Sequence, residues 1–265
     1  MDVRDLVRAH YGDGGLDDAI VDVLAEAGVD TDHITVKDLA SLDQLHAGGA
    51  AATALLLEKM QLAPRMSLLD VGSGLGGPSR MAAEEYDVQV TGVDLTLEFV
   101  NAANALTTRV GLQDRVRFLT TSGETLPFED ESFDAAMMIH VGMNIPDKSS
   151  VFREVHRVLS HRSVFGLYEQ VRRDPGQLGY PLPWAEDERS SFVETADAYV
   201  QALAVAGFRD IQVHDRTGPV PGTDPPDALL NPSAILRSKY IKGVGNHISA
   251  TKAGLLGGVL VLGRA

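Results

Sequence analysis

Residues 68–80 read LLDVGSGLGGPSR, an apolar segment that runs directly into a turn with four glycines. A strand followed at once by a glycine turn and a helix is typical of the first unit of a nucleotide-binding α/β sheet. Glycine has no Cβ, so such a turn lets a ligand approach the backbone closely. The stretch therefore predicts a cofactor site at the tip of this strand.

The rest of the chain alternates short β-rich runs with segments of helix length. Strands are predicted at 67–71, 88–93, 116–120, 133–139 and 164–171, and helices at 98–110 and 149–159. This alternation predicts a doubly wound, Rossmann-like α/β fold, with a mostly parallel sheet and helices on both faces. Farther along we expect a helix at 191–206, a strand at 208–214, and an antiparallel C-terminal strand at 258–262 that completes the sheet.

Two segments add to this domain. Residues 1–60 have apolar residues at helical spacing, which predicts a helical lead-in before a cofactor-binding domain at 61–265. A segment at about 217–247 contains five prolines. Long loops usually have a function, so we expect this insertion to cover a pocket.

Composition narrows the classes of function. The chain has 23 Lys and Arg against 37 Asp and Glu, a formal charge of −14, which disfavours a nucleic-acid partner. It has no cysteine, which excludes Cys-ligated metals and thiol nucleophiles. No apolar run is long enough to span a membrane and no secretion signal is evident, so we expect a cytoplasmic protein without membrane insertion. Whether it forms a homo-oligomer stays open.

Two acids follow the first two strands. Asp94 lies at the tip of the second strand, where a carboxylate accepts hydrogen bonds from ribose hydroxyls of either a nicotinamide or an adenosine cofactor. Asp70 lies just before the glycine turn. A carboxylate there would repel a pyrophosphate, but it suits a ligand with an amino group and a sulfonium.

These residues resemble the class I S-adenosylmethionine (SAM) dependent methyltransferases, within the small-molecule group that includes ubiquinone/menaquinone, sarcosine/dimethylglycine and natural-product enzymes. Residues 70–76 resemble the first motif of that family and residues 121–128 its adenine loop. Phe133-Asp134 resembles the opening of its fourth strand, and residues 156–159 match the run before its fifth. The resemblance extends over about 40–263.

The resemblance implies SAM as methyl donor, S-adenosylhomocysteine as product, a small-molecule acceptor and no obligatory metal. The cofactor-binding residues that it implies are Tyr11, Asp70, Gly72, Ser73, Gly74, Gly76, Asp94, Leu95, Ser122, Gly123, Glu124 and His140. The chain departs from the family at Ser122, where an Asp often contacts adenine, and at residues 160–162, which replace a Pro-Gly-Gly turn.

Methyl transfer from a sulfonium requires alignment of a nucleophile and management of one proton. His140, at the tip of the fourth strand, is the first candidate for base or substrate orienter, because imidazole accepts protons near neutral pH. Tyr168 and Glu169, at the end of the fifth strand, are the next candidates; each has an alternative structural role.

Other residues are candidates for the acceptor pocket or for a cover over the cofactor. In the lead-in these are Tyr11, Gln44, His46 and Gly49, and a plain helical cap is the alternative. Trp184, in the rigid segment 180–185, is either a pocket wall or an apolar staple. Arg237, Lys239, Tyr240 and Lys242 form a basic cluster that would meet an acidic acceptor or face solvent.

Three functions stay open on these residues. The first is SAM-dependent methyl transfer to an O, N or C nucleophile of a small molecule. The second is an NAD(P)-dependent oxidoreductase, favoured by the spacing of Gly72, Gly74 and Gly77 but without a Tyr-x-x-x-Lys pair. The third is a catalytically inactive SAM-binding protein.

Overall fold

The computed structural model describes residues 15–217 and 238–265. Three helices precede the first strand: α1 (Leu16–Glu26), α2 (Val36–Asp43) and α3 (Gly49–Met60). The sheet and its connecting helices follow in the order β1 (Ser67–Val71), α4 (Gly77–Tyr86), β2 (Gln89–Asp94), α5 (Leu97–Arg109), β3 (Val116–Thr120), β4 (Phe133–Ile139), α6 (Lys148–Val158), β5 (Leu159–Arg172), α7 (Ala196–Ala206), β6 (Arg209–Asp215), α8 (Ser238–Lys252) and β7 (Leu256–Arg264). Short 3-10 turns lie at Gly142–Asn144 and Glu188–Ser190.

Local capping sets several of the helix ends. The Thr35 hydroxyl accepts from the Asp38 N–H while the Asp38 carboxylate accepts from the Thr35 N–H, which is a complete capping box at the start of α2. Asp147 and Thr195 cap α6 and α7 through one backbone N–H each. These caps fix where the helices that flank the site begin.

The seven strands form one sheet in the order β3-β2-β1-β4-β5-β7-β6. The pairings of β1 with β2, β1 with β4, β2 with β3, and β4 with β5 are parallel, and β7 runs antiparallel to both β5 and β6. This confirms the predicted doubly wound sheet with an antiparallel C-terminal strand. The strand order reverses between β1 and β4, and ligands of open α/β sheets bind beside the carboxyl ends of the strands at such a point.

Apolar side chains are buried on both faces of the sheet. One face packs Leu56 and Met60 of α3 against the strands, and the other packs Phe152 of α6 and Tyr199 of α7. α1 and α2 pack on α5 through a separate cluster around Leu24 and Leu39. The lead-in helices therefore lie against the body of the sheet domain.

Some predicted bounds differ from the observed ones. β5 begins at Leu159 rather than at 164, because residues 159–163 continue the strand past a bulge opposite β4. The C-terminal strand β7 completes the sheet from an internal position, between β5 and β6, and β6 lies at the edge. The helix predicted from residue 191 begins at Ala196, since residues 191–195 are extended and the Phe192 N–H donates to the Met143 carbonyl.

The insertion predicted at about 217–247 is only partly described. Its last residues belong to α8, which extends to Lys252, so that part is not a loop. Within the described ranges, no helix is both long and apolar enough to cross a bilayer.

Candidate active site

A cavity of about 410 Å³ opens at the carboxyl ends of β1, β2 and β4. Its walls come from the ends of these strands, the loop after β3, the turn after β4 and the segment after α2. The residues that line it are Asp43, Leu45, His46, Asp70, Val71, Gly72, Ser73, Gly74, Leu75, Pro78, Val93, Asp94, Leu95, Thr96, Phe99, Thr121, Ser122, Gly123, Glu124, Ile139, His140, Val141, Asn144, Ile145, Pro146 and Val151.

Glycine is required at Gly72 and at Gly74 of the glycine turn for two different reasons. Gly72 has a φ of 77°, and a Cβ there would overlap the side chain of Val141. Gly74 has a φ of 51°, but a Cβ there would meet open space on the cavity side. Gly72 therefore lets two segments of the protein pack, whereas Gly74 leaves room in the cavity. Gly76 caps α4 beneath Phe118 and does not line the cavity.

Asp94 joins the tip of β2 to the glycine turn. Its Oδ2 accepts from the Gly74 N–H at 2.9 Å, and its Oδ1 accepts from the Thr96 N–H at 2.8 Å. Burial raises the pKa of this carboxyl, while the backbone hydrogen bonds lower it in part. Each oxygen keeps a further lone pair, so the carboxylate is held rigidly and can accept hydrogen bonds from a vicinal diol in the cavity.

Asp70 is almost completely buried at the end of β1. Its Oδ2 accepts from the Ser79 hydroxyl at 2.7 Å. Burial raises the pKa of Asp70 from 3.8 to about 7; Asp94 raises it further, and the Ser79 hydrogen bond opposes the shift. The ionised form of this buried carboxyl is thus costly, and a cationic group in the cavity would stabilise it.

The loop after β3 forms the wall expected for adenine. Thr121, Ser122, Gly123 and Glu124 all line the cavity, and Leu95 lines it from just after β2. The Ser122 hydroxyl accepts from the Glu124 N–H at 3.2 Å, so this serine shapes its own loop. Ser73, also on the wall, has a buried hydroxyl without a hydrogen-bond partner among the described residues.

Two histidines and a tyrosine lie together next to the glycine turn. The His140 ring stacks on Tyr168 at 5.2 Å between centroids, and the His46 ring lies 5.6 Å from that of His140. Burial is the main cause that lowers the pKa of His140 well below its usual value, and His46 and His247 add to the effect. Burial lowers the pKa of His46 to about 4. Both imidazoles are therefore neutral at neutral pH.

The two histidines differ in their partners. The His46 Nε2 lies 3.0 Å from the Gln44 Oε1 and 3.1 Å from the Thr53 hydroxyl, which itself donates to Gln44 at 2.8 Å. The His140 Nε2 has no hydrogen-bond partner within the described part of the chain. His140 thus lines the cavity and carries a buried ring nitrogen that the described residues leave unpaired.

The structure does not bring every predicted residue to the cavity. Successive residues of a strand point to opposite faces, and Tyr168 packs behind His140 while Glu169 points to the other face of the sheet. Neither lines the cavity. The Glu169 Oε1 instead accepts from the Val141 and Gly142 N–H groups, so its predicted catalytic contact is replaced by a backbone contact.

Trp184 serves as a staple. It is 2% exposed in a small core with Met143, and its Nε1–H donates to the Ser191 hydroxyl at 3.0 Å. Gly49 is the first residue of α3 and does not line the cavity, and Lys242 is exposed. Tyr11, Arg237 and the side chains of Lys239 and Tyr240 lie outside the described residues.

The polar residues of the cavity wall that the sequence analysis missed include Asp43, Thr96 and Asn144. Asp43 pairs with the fully buried Arg80 at 2.8 Å, and its Oδ1 has no hydrogen-bond partner among the described groups. Asn144 donates from its Nδ2 to the Trp184 carbonyl at 2.8 Å. Asn144 could have been predicted because it follows the candidate His140 closely in sequence. Asp43 could have been predicted because it directly precedes the candidates Gln44 and His46.

Comparison with known proteins agrees with this geometry. Residues 69–166 match a family model described as a methyltransferase domain. The chain is 30% identical over 180 residues to a sterol 24-C-methyltransferase of Gibberella zeae, a match that covers 64% of this chain and 46% of the relative. Residues 69–166 are thus similar to the methyltransferase domain family, and the sheet order is that of a Rossmann-like methyltransferase fold. The chain spans less than half the length of the curated relatives that it matches.

Two solved structures share the fold. One is the geranyl diphosphate C-methyltransferase of Streptomyces coelicolor with geranyl-S-thiolodiphosphate and S-adenosylhomocysteine, at TM-score 0.70 and 18% identity, covering 100% of this chain and 98% of that one. The other is the [4+2]-cyclase SpnF, at TM-score 0.67 and 23% identity, covering 95% and 94%. At these identities the likeness concerns the fold alone.

Proposed function

We propose that this protein binds SAM in the cavity and transfers its methyl group to a small molecule. The observation that carries the proposal is the Asp94 carboxylate, fixed by two backbone N–H groups beside the open space at Gly74. The domain family and the sterol methyltransferase relative support it.

The cavity wall fits the parts of SAM. Asp94 would accept hydrogen bonds from the ribose hydroxyls, and Ser122, Gly123 and Glu124 would hold the adenine. Asp70, with its costly negative charge, lies where the amino group of the ligand would stabilise it. Because Gly74 has no side chain, the ligand can lie directly on the turn.

When bound, SAM supplies an electrophilic methyl group. His140, which lines the cavity as a neutral imidazole, would then orient the nucleophile and accept its proton as the new bond to carbon forms and the bond from that carbon to sulfur breaks. A base of low pKa is sufficient for an oxygen or alkene acceptor, because the oxonium ion or carbocation formed on methylation is strongly acidic; an amine would release its proton to water instead. His46 and Asn144 line the same wall and would contact the acceptor.

The alternatives differ in one measurable property each. A nicotinamide enzyme needs a ligand with a pyrophosphate beside Asp70, which the acid disfavours. An inactive SAM-binding protein would bind the cofactor but leave no acceptor space beside His140. Because the fold also carries a [4+2]-cyclase, binding and turnover have to be measured separately.

The test is calorimetry with S-adenosylhomocysteine and, separately, with NADH. We expect binding of the first and no signal with the second. Asp94→Ala is expected to weaken S-adenosylhomocysteine binding by about a hundredfold, since it removes charged hydrogen bonds worth about 1.5–3 kcal/mol each. Asp114→Ala, which removes an exposed acid elsewhere, is the matched control. Binding of NADH alone, or equal affinity in the Asp94 variant, would refute the assignment.

A second arm separates an enzyme from an inactive binder. Candidate phenols, amines and alkenes are incubated with SAM carrying a labelled methyl group, and label in the acceptor is measured. Transfer by the wild type supports the proposed function. Tight cofactor binding with no transfer to any of these acceptor classes would favour the inactive protein.

A further inference from the structure

Three buried polar side chains lie beneath the turn from β4 to α6, and none of them lines the cavity. Glu169 of β5 and Tyr199 of α7 are fully buried, and Lys148 at the start of α6 is 6% exposed. The Lys148 ammonium lies 5.3 Å from the centre of the Tyr199 ring. The Tyr199 hydroxyl lies near the Glu169 carboxylate, but no hydrogen bond joins them, and neither this hydroxyl nor the Glu169 Oε2 has a partner among the described residues. We call these three residues the turn-support cluster.

The cluster holds the backbone of the turn at several points. The Glu169 Oε1 accepts from the Val141 N–H at 3.1 Å and from the Gly142 N–H at 2.9 Å. The Lys148 ammonium donates to the carbonyls of Ile145, at 3.0 Å, and Phe192, at 2.7 Å. The Tyr199 hydroxyl lies against Gly142, where any Cβ would overlap it. Side chains of the turn-support cluster therefore hold the backbone at both ends of the turn.

The turn needs this support because its first residue is strained. His140 has a φ of 54°, a left-handed conformation that costs a non-glycine residue about 1–2 kcal/mol. The two N–H groups that follow leave β4 and find the Glu169 carboxylate in place of a strand partner. The protein therefore uses a buried charge to hold a conformation that the backbone would not choose alone.

The same turn forms one wall of the cavity. His140, Val141, Asn144 and Ile145 all line it, and the Val141 side chain packs against Gly72 of the glycine turn. A shift of the Val141–Gly142 backbone would therefore move the histidine and the glycine turn together.

We propose that Glu169 is a positioning residue: its carboxylate, backed by Lys148 and Tyr199, fixes the Val141–Gly142 backbone and so sets where His140 stands in the cavity. What the positioned histidine does rests on the proposed function, but the support of the turn does not.

The charge of Glu169 makes the support depend on pH. Burial raises the pKa of this carboxyl to about 7, although the two backbone N–H groups, Lys148 and Tyr199 lower it in part. Burial also lowers the pKa of Lys148, and Glu194, the other acid acting on this ammonium, opposes that shift. A neutral carboxyl accepts the two N–H bonds less strongly than a carboxylate does. An opening that breaks only these two bonds leaves the carboxyl buried, so protonation favours it and the turn is expected to loosen as pH falls below 7, even though the raised pKa makes global unfolding harder at low pH.

The test is hydrogen exchange of the Val141 and Gly142 amides, corrected for intrinsic rates, in the wild type and two variants. Glu169→Ala is expected to speed their exchange at least tenfold, with peptides of β1 and α5 unchanged. Glu169→Gln keeps an oxygen acceptor, so it is expected to restore most of the protection but to lose the decline of protection below pH 7. Gln170→Ala, at a buried neighbour that bonds His247, is the control and leaves both amides protected.

The outcomes separate positioning from general stability. Unchanged exchange in Glu169→Ala, or faster exchange throughout the sheet, would overturn the proposal. If the alanine variant fails to fold, the Glu169→Gln variant decides the question. If its amide protection at Val141 and Gly142 depends on pH as it does in the wild type, the proposal is overturned. S-adenosylhomocysteine binding is measured on the same samples. If the wild type does not bind it, the proposed function is refuted, but the exchange rates of the Val141 and Gly142 amides still decide the role of Glu169.

Discussion

The Asp70 carboxyl should make the stability of this protein fall as pH rises. Its pKa is raised from 3.8 to about 7, chiefly by burial, and each unit of pKa corresponds to about 1.4 kcal/mol. A group with a raised folded-state pKa contributes stability that is fully present below the unfolded value and is lost as pH rises to the folded value. The total is about 4 kcal/mol, of which about 3 kcal/mol is expected to disappear between pH 5 and pH 8.

Asp70→Asn isolates this contribution. The amide keeps the shape and an acceptor for the Ser79 hydroxyl, but it has no charge to bury. Urea unfolding at pH 5 and pH 8 is expected to show the wild type losing about 3 kcal/mol more than the variant, because all other groups cancel in the difference. Asp114→Asn, at an exposed position, should parallel the wild type. Parallel curves for Asp70→Asn and the wild type would refute the reasoning.

The same acid links binding to proton release. A protonated amino group near Asp70 favours the carboxylate, so S-adenosylhomocysteine binding at pH 7 is expected to release part of a proton. Calorimetry in two buffers of different ionisation enthalpy measures this fraction. Asp70→Asn should remove it, and an unchanged proton release in the variant would place the amino group elsewhere.

Two further predictions concern the walls of the cavity. Gly72→Ala is expected to lower the free energy of unfolding by about 2 kcal/mol or more, because the new Cβ adds φ strain and overlaps the Val141 side chain. Gly74→Ala adds φ strain without an overlap, so it should lower the free energy of unfolding less. It should, however, weaken S-adenosylhomocysteine binding more than tenfold, because its Cβ would enter the cavity. Similar binding by both variants, measured by calorimetry alongside urea unfolding, would contradict this difference. His140→Asn, which tolerates the left-handed backbone, should keep cofactor affinity within about threefold and lower methyl transfer by about 10²–10⁴-fold. Equal turnover on an identified acceptor would remove His140 from the chemistry.

The sequence predicted the parts of the fold that depend on local pattern. β1, β3 and β4 have the predicted bounds, because each is a short apolar run between polar or glycine-rich turns. β5 was predicted too short, since residues 160–163 are polar and at least partly exposed. Its start depends on pairing beyond a bulge opposite Phe133, which no local pattern reports.

The cofactor wall was easier to predict than the chemistry beside it. The tips of parallel strands meet at one edge of a sheet, so the positions of Asp70, Asp94 and Ser122 followed from strand order alone. Tyr168 and Glu169 are adjacent in one strand, so only one of them could face the cavity side. Deciding which one required the packing of α3 on one face and α7 on the other.

Contacts between distant segments explain the remaining omissions. Asp43 reaches the wall because Arg80 of α4 pairs with it inside the protein, across 37 residues of sequence. The support of the β4–α6 turn likewise needs side chains from β5, α6 and α7. These arrangements depend on three-dimensional packing, which a single sequence does not encode as a pattern.

Three acidic residues of the cavity lie at or near the tips of β1, β2 and β3, whereas the wall after β4 is uncharged. This distribution of charge would suit the proposed methyl transfer. Glu124, Asp94 and Asp70 follow or end β3, β2 and β1, and the neutral His140 follows β4. A positively charged methyl donor disperses its charge as the methyl group leaves, so acids close to the methyl would stabilise the ground state more than the transition state. In the proposed function, acids at the tips of β1 to β3 would hold the ribose and the amino group, and the uncharged wall after β4 would face the reacting centre. In the proposed reaction, the burial that makes His140 neutral would therefore leave the wall beside the methyl group without charge.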